Sequence, residues 1–167
     1  RINQIIQVIL KYLNIITIHE VCALGYAERL ELMIAQRPYV VNEISTNGFS
    51  PLGIAAHFEQ EAMVRLLLRH HAEPNVSSQN GFHVYPIHAA LSANNTAIAK
   101  LLIEAGTEVN VVQQGGITPL HLAAQHGNIE IIIILLEQGA DVASRTGQGL
   151  TAADIAFDKG FKELGEI

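Results

Sequence analysis

Glycines at a nearly constant spacing constrain the fold of this chain more than any other feature of its sequence. Gly48, Gly81, Gly116 and Gly149 are separated by 33, 35 and 33 residues. A repeat of this length is typical of solenoids, in which one unit cannot bury its apolar face alone and stacked neighbours bury it together. The chain is therefore expected to form a row of stacked units and not one closed globule.

The same signals follow each glycine in the same order. The segments that open a helix are Ser50-Pro51-Leu52, Tyr85-Pro86-Ile87-His88, Thr118-Pro119-Leu120-His121 and Thr151-Ala152-Ala153-Asp154. Apolar blocks lie further downstream, at Leu66-Leu67-Leu68, Leu101-Leu102-Ile103 and Ile134-Leu135-Leu136. The repetition in phase predicts two helices in every unit.

Residues 116–145 show how one unit is built. Thr118 can cap a helix through its hydroxyl, and Pro119 suits the first helical position because its missing N–H costs nothing there. Gly127 is expected to end this first helix in the left-handed conformation. The second helix is predicted over 129–138, and Gly139 ends it in the same way. An extended finger then returns towards the next glycine-rich turn.

These segments resemble the ankyrin-repeat family, whose unit has a β-turn and two antiparallel helices. The run Thr118-Pro119-Leu120-His121-Leu122-Ala123 is similar to the Thr-Pro-Leu-His-x-Ala signature of that family. The resemblance covers about residues 17–165 and implies an all-α ankyrin-repeat solenoid of stacked helix-turn-helix units with β-turn or hairpin fingers.

The repeat phase divides the chain into parts of one domain, residues 1–167. A capping helix is expected over 1–15, because apolar residues recur at helical spacing in this segment. The last part is expected to be a partial repeat or a C-terminal cap. The predicted repeats and this last part are about 16–45, 46–78, 79–112, 113–145 and 146–167.

Two departures from the pattern lie near the third repeat's first helix. Tyr85 replaces the capping Thr or Ser, so a weaker helix start is expected. Two extra residues also lie between Gly81 and Pro86. They predict a lengthened finger at this point.

Four further residues break the pattern of the family. Asn94, Glu59 and His71 occupy positions where glycine is usual, and Asn tolerates the left-handed conformation better than Glu or His. Ile133 takes a position that is polar in the other repeats. It is expected to be exposed on the convex side, as a tolerated surface isoleucine or as part of a second contact surface.

Composition excludes several functions. Acidic residues outnumber basic ones by 16 to 10, which disfavours nucleic acids and anionic membrane surfaces as partners. Cys22 is the only cysteine, so no internal disulfide is expected, and a reducing, intracellular location is favoured. No apolar stretch is long enough for a membrane span, and no signal peptide is visible.

No catalytic residue, metal site or cofactor is expected. The family resemblance assigns a structural hydrogen-bonding role near the helix start to three of the eight histidines: His19, His88 and His121. A zinc site from His57, His83 and His126 would require residues of different repeats to converge, and no zinc, calcium or nucleophile motif is present.

The resemblance instead implies binding through the concave side, formed by the finger tips and the exposed face of each first helix. The predicted finger residues are Asn47, Phe49, His83, Gln114, Ile117, Gln148 and Leu150. The predicted helix residues are His57, Phe58, Ser92, Gln125, His126, Asp158 and Lys159. An aromatic patch of Phe49, His57, Phe58 and His83 is the favoured centre, because rigid aromatic side chains dominate interface energetics. Packing of Phe49 or Phe58 between adjacent repeats is the alternative.

The expected function is a protein–protein interaction scaffold that binds another protein. The alternative is a regulatory or substrate-recruiting repeat domain of a larger enzyme. A third possibility is a structural role, in which Ile133 or the helix over 2–14 supports weak self-association of an otherwise monomeric chain.

Overall fold

The computed structural model describes residues 16–166, which form pairs of antiparallel α-helices joined by turns. The predicted capping helix over 1–15 lies outside these residues. The first helices of successive repeats are α1 (Ile18–Leu24), α3 (Pro51–His57), α5 (Pro86–Ser92), α7 (Pro119–His126) and α9 (Ala152–Asp158). The second helices are α2 (Ala27–Gln36), α4 (Glu61–Arg69), α6 (Thr96–Glu104) and α8 (Ile129–Glu137). Short 3₁₀ helices cover Pro38–Asn42 and Lys162–Glu166.

The helices form two rows. Each first helix packs on the first helix of the next repeat, and α2, α4, α6 and α8 pack in a parallel row behind them. The core lies between the rows and is shared by neighbouring repeats, as the repeat period predicts. Its largest fully buried apolar side chains are Ile18, Leu30, Leu52, Met63, Leu67, Ile87, Leu91, Ile98, Leu102, Ile131 and Leu135.

Hydroxyl caps fix the start of most first helices. The Oγ of Ser50 accepts a hydrogen bond from the N–H of Gly53 at 3.0 Å, which satisfies a donor that has no partner inside the helix. Tyr85 makes no such side-chain bond, so the predicted loss of a hydroxyl cap is confirmed. The Nδ1 of His88 still accepts the Tyr85 N–H at 3.3 Å, so the reciprocal bond of this helix start is kept.

The predicted left-handed positions are confirmed. Glu59, His71 and Asn94 have φ angles of 55°, 62° and 54°, although they are not glycines. Gly127 has a φ of 61°, and a Cβ there would lie 2.6 Å from the ring of Phe161. Glycine is therefore required at this position for both its backbone conformation and its packing.

Asparagine side chains join the turns of neighbouring repeats. The Oδ1 of Asn110 accepts a bond from the N–H of Asp141 at 2.8 Å, and its Nδ2 donates to the carbonyl oxygen of Gly139 at 3.0 Å. Asn75 makes the same pair of bonds to the repeat after it, at 2.8 and 3.1 Å. One amide thus spans each of these junctions through both of its polar atoms.

The fingers are turns with little regular β structure. Within residues 16–166 the β pairing consists of an isolated antiparallel bridge between Gln113 and Ile117. Turn hydrogen bonds hold the other fingers instead.

The predicted lengthening of one finger is confirmed. In the second repeat the N–H of Ser45 donates to the carbonyl oxygen of Phe49, four residues away, at 2.9 Å. In the third repeat the equivalent bond joins Ser78 to Val84, six residues away, also at 2.9 Å. Residues 82–83 are the inserted pair.

The convex side carries exposed apolar residues. Ile133 is 50% exposed, which confirms its predicted position on the surface. An ion pair between Lys100 and Glu130 joins α6 to α8 on the same side.

Within residues 16–166, none of the helices combines the length and the apolar character needed to cross a bilayer.

The left-handed residue after α4 yields a stability prediction. His71 is exposed and its φ is 62°, so replacement by glycine removes backbone strain. We expect His71→Gly to raise the free energy of unfolding by about 1 kcal/mol in urea titrations. His70→Gly is the matched control, because His70 has a φ of −94° and glycine there should lower stability. A loss of stability in His71→Gly would contradict the strain argument.

Candidate functional site

Adjacent fingers are joined by backbone hydrogen bonds near their tips. The N–H donors and their carbonyl acceptors, with N···O distances of 2.7, 2.8 and 2.6 Å, are Gln79 to Gly48, Gln114 to Phe82 and Gly147 to Gly115. The approach is close enough that a Cβ on Gly116 would lie 2.9 Å from the nitrogen of Gly147. The finger tips and the first helices beside them thus form one continuous surface, called here the concave strip.

In α1, α5 and α7 a buried histidine holds the first helix to the finger of the next repeat. The Nε2 atoms of these histidines donate to finger carbonyl oxygens at 2.7, 3.1 and 3.1 Å, in the pairs His19 to Glu43, His88 to Ile117 and His121 to Ser144. The Nδ1 of His121 also accepts the N–H of Thr118 at 3.0 Å. The predicted role at the helix start is therefore carried by Nδ1, and Nε2 makes a second bond to the neighbouring repeat.

A groove lies between α3 and α5 on the concave strip. Its volume is about 310 Å³, and it is called here the aromatic groove. Phe58 is 51% exposed and meets the ring of His57 edge to face at a centroid distance of 5.0 Å. Phe58 is therefore half exposed beside the next repeat, and Phe49 is half-buried in the same groove. The residues that line the groove are Asn47, Phe49, Gly53, Ile54, His57, Phe58, Val84, Tyr85 and Ala89.

A second groove of about 650 Å³ lies between α7 and α9 and is called here the C-terminal groove. Its apolar lining residues are Ile117, Leu122, Leu150 and Ile155. Its polar side chains are His121, Gln125, Thr146, Gln148, Asp158 and Lys159. Backbone of Gly115 and Gly147 completes the wall on the finger side.

The two grooves collect most of the residues predicted from the sequence. The aromatic groove includes Asn47, Phe49, His57 and Phe58, and the C-terminal groove includes Ile117, Gln125, Gln148, Leu150, Asp158 and Lys159. The predicted residues that line neither groove are His83, Ser92, Gln114 and His126. His83 is exposed on the lengthened finger, so the predicted aromatic patch forms without it.

Models of known protein families match the repeats described above. The model described as "Ankyrin repeats (3 copies)" matches residues 71–146 and 87–164, and the model described as "Ankyrin repeat" matches residues 47–79. This chain belongs to the ankyrin-repeat family. It is similar to the nuclear factor NF-kappa-B p105 subunit of Gallus gallus, with 38% identity over 75 residues. That match covers 44% of this chain and 8% of the relative, so the ankyrin-repeat chain spans a small part of that protein's length.

Among the apolar residues of this ankyrin-repeat surface that were not predicted as site residues, three lie on the lengthened finger or directly after it. Val84 and Tyr85 line the aromatic groove, and Phe82 is 54% exposed on the lengthened finger. The two-residue insertion was the available signal, because it changes which side chains this finger presents. The direction in which the insertion turns each side chain depends on the turn geometry, so the repeat period does not predict it.

The described residues hold no metal-binding cluster of three or more His, Cys, Asp or Glu side chains. Burial raises the pKa of the Cys22 thiol to about 12, so this cysteine is a poor nucleophile. Hydrogen bonds from the backbone and hydroxyl of Thr151 lower the pKa of Asp154, which accepts the Thr151 N–H at 2.8 Å. This carboxylate caps the start of α9.

Burial controls the charge of His88 and His121. It lowers the pKa of His88 to about 4 and also lowers the pKa of His121, although carbonyl hydrogen bonds oppose the shift in both. Both rings are therefore neutral at neutral pH. In the neutral state one nitrogen accepts a bond from the helix start while the other donates to the next repeat.

The lowered pKa of His88 predicts a dependence of stability on pH. Between an unfolded value of 6.5 and a folded value of about 4, the unfolded chain binds a proton that the folded chain does not. The free energy of unfolding should therefore fall as the pH is lowered through this window, by about 1.4 kcal/mol per pH unit from His88 alone. Urea titrations across the window should show a shallower fall in His88→Gln than in the wild type. His83→Gln is the control and should keep the wild-type slope; equal slopes in wild type and His88→Gln would contradict the assignment.

Proposed function

We propose that this ankyrin-repeat chain is a scaffold that binds a partner protein along the concave strip. Ankyrin repeats are in general protein–protein interaction modules and are typically non-catalytic. The observation that carries the proposal is the presence of two grooves on one strip, each formed jointly by neighbouring repeats. A surface of this kind exists only when the repeats are stacked. The proposed binding site therefore depends on the same packing that forms the fold.

The aromatic groove supplies a place for an apolar anchor of the partner. Phe49, Phe58 and Tyr85 surround a space of about 310 Å³, at the lower end of the size range of ligand pockets. Rigid aromatic side chains lose little conformational freedom on binding and are enriched in interface hot spots. We infer that an aromatic or aliphatic side chain of the partner enters this groove.

The C-terminal groove supplies polar contacts around an apolar base. The amides of Gln125 and Gln148 each offer donors and an acceptor, which suits the backbone of a partner segment. Asp158 and Lys159 contribute one charge of each sign. This combination favours a partner segment of mixed character over one that is strongly charged.

The spacing of the grooves suggests how one partner engages both. The pair α3 and α5 is separated from the pair α7 and α9 by two helix-to-helix steps, or about 20 Å at usual packing distances. About six residues of extended chain span that distance. The partner is therefore inferred to be a protein surface or segment with two contact points at this separation.

A pair of double variants tests the location of the binding surface. Phe49→Ala/Phe58→Ala removes the aromatic walls of the groove, and Leu32→Ala/Ile133→Ala removes apolar area that is 50% exposed at each residue of the outer helices. We expect the concave double variant to weaken binding of a partner captured from native lysate by at least about tenfold.

The outer-helix variant should bind as the wild type does, and circular dichroism should show that both variants remain folded. Loss of binding in the outer-helix variant, with the concave variant unaffected, would place the interface on the convex side and contradict the proposal.

A further inference from the structure

The second and third repeats carry equivalent Asn-Gly turns in different surroundings. The two sequences are Ser45-Thr46-Asn47-Gly48 and Ser78-Gln79-Asn80-Gly81. In the first turn Gly48 is buried, and its N–H donates to the carbonyl oxygen of Ser45 at 2.9 Å. In the second turn Gly81 is exposed, and its N–H has no acceptor within the described residues.

The two turns also differ in how closely neighbouring atoms pack around their glycines. A Cβ on Gly48 would lie 3.0 Å from the backbone nitrogen of Asn80, because the next finger covers this turn. The carbonyl oxygen of Gly48 accepts the N–H of Gln79 at 2.7 Å, which holds the turn further. A Cβ on Gly81 would meet nothing within 4 Å. The first turn is therefore covered by the next finger, with the N–H of its glycine engaged, whereas the second turn is open to solvent at Gly81.

Two donors are directed at the side-chain oxygen of Asn80. The Oγ of Ser78 donates to Asn80 Oδ1 at 2.7 Å, and the N–H of Phe82 donates to the same oxygen at 3.2 Å. Donors in this arrangement stabilise the negative charge that develops on an amide oxygen when a nucleophile adds to its carbon. The Asn47 side chain has no such donors within the described residues.

We propose that Asn80 is a site of spontaneous deamidation and that Asn47 is protected from it by the fold. The backbone nitrogen of Gly81 attacks Cγ of Asn80 and loses its proton to solvent, and a C–N bond forms. The Cγ–Nδ2 bond breaks, the nitrogen takes up a proton and ammonia leaves, which closes a five-membered succinimide. Water then opens the ring at either carbonyl and gives aspartate or isoaspartate, so one water is consumed for each ammonia released.

The reaction changes the charge of the lengthened finger. A neutral amide becomes a carboxylate next to exposed Phe82 and His83. Isoaspartate also adds a methylene to the backbone of the turn, which alters the position of the finger tip. The proposal does not depend on the identity of any partner.

Peptide mapping by mass spectrometry tests the proposal on the whole chain. The folded protein is incubated at mildly alkaline pH, and conversion at Asn80 and Asn47 is followed over time. Protein isoaspartate methyltransferase with labelled S-adenosylmethionine serves as the probe for isoaspartate. We expect conversion at Asn80 to be roughly tenfold faster than at Asn47, which corresponds to the transition-state effect of about one hydrogen bond.

Incubation in denaturant is the first control, because both residues then lie in unfolded Asn-Gly sequences and should react at similar rates. Deletion of residues 82–83 should slow Asn80 to the rate of Asn47, and Ser78→Ala should slow it severalfold without changing the finger length. If a variant fails to fold, the comparison of folded with denatured wild-type protein still tests whether the fold sets the two rates. Equal rates at the two residues in the folded chain, or faster conversion at Asn47, would overturn the proposal.

Discussion

Polar bonds across each repeat junction fix the register on which the rest of this structure depends. Apolar burial between the two helix rows is nondirectional and would tolerate small slips of one repeat against another. The Nε2 of buried His88 instead requires one particular carbonyl oxygen, at Ile117, because a buried donor without an acceptor is costly. The asparagine amides and the finger backbone bonds impose the same register at other points of the same junctions.

That register produces the surface available for recognition. Each groove is lined by residues of two repeats, so its shape exists only when both are held in a fixed relation. His88 and His121 contribute by remaining neutral, because a protonated ring could not accept the bond from the helix start. The half-exposed ring of Phe58 and the partly buried ring of Tyr85, which packs against the core, can then act as rigid walls of the aromatic groove.

The sequence predicts the fold more completely than the site. Repeat phase identified positive φ at Glu59 and His71, although neither residue prefers it, because the helix ends required it. The phase also predicted the exposure of Ile133 correctly, because that position is polar in the other repeats. His83 does not line the aromatic groove, because an inserted pair of residues redirects side chains in a way that periodicity does not describe. The sequence predicts Tyr85 only as a poor cap, because its place in the groove depends on the position of the neighbouring helix.

The backbone bonds between fingers hold the finger tips in register before any partner binds. Amide hydrogen exchange of the free chain, resolved by residue with NMR, measures this order directly. The N–H groups of Gln79, Gln114 and Gly147 donate across finger junctions and should exchange slowly, while the N–H of Gly81, which has no acceptor among the described residues, should exchange fast. Exchange of the junction amides as fast as that of Gly81 would show that the strip is not preformed and would contradict the account.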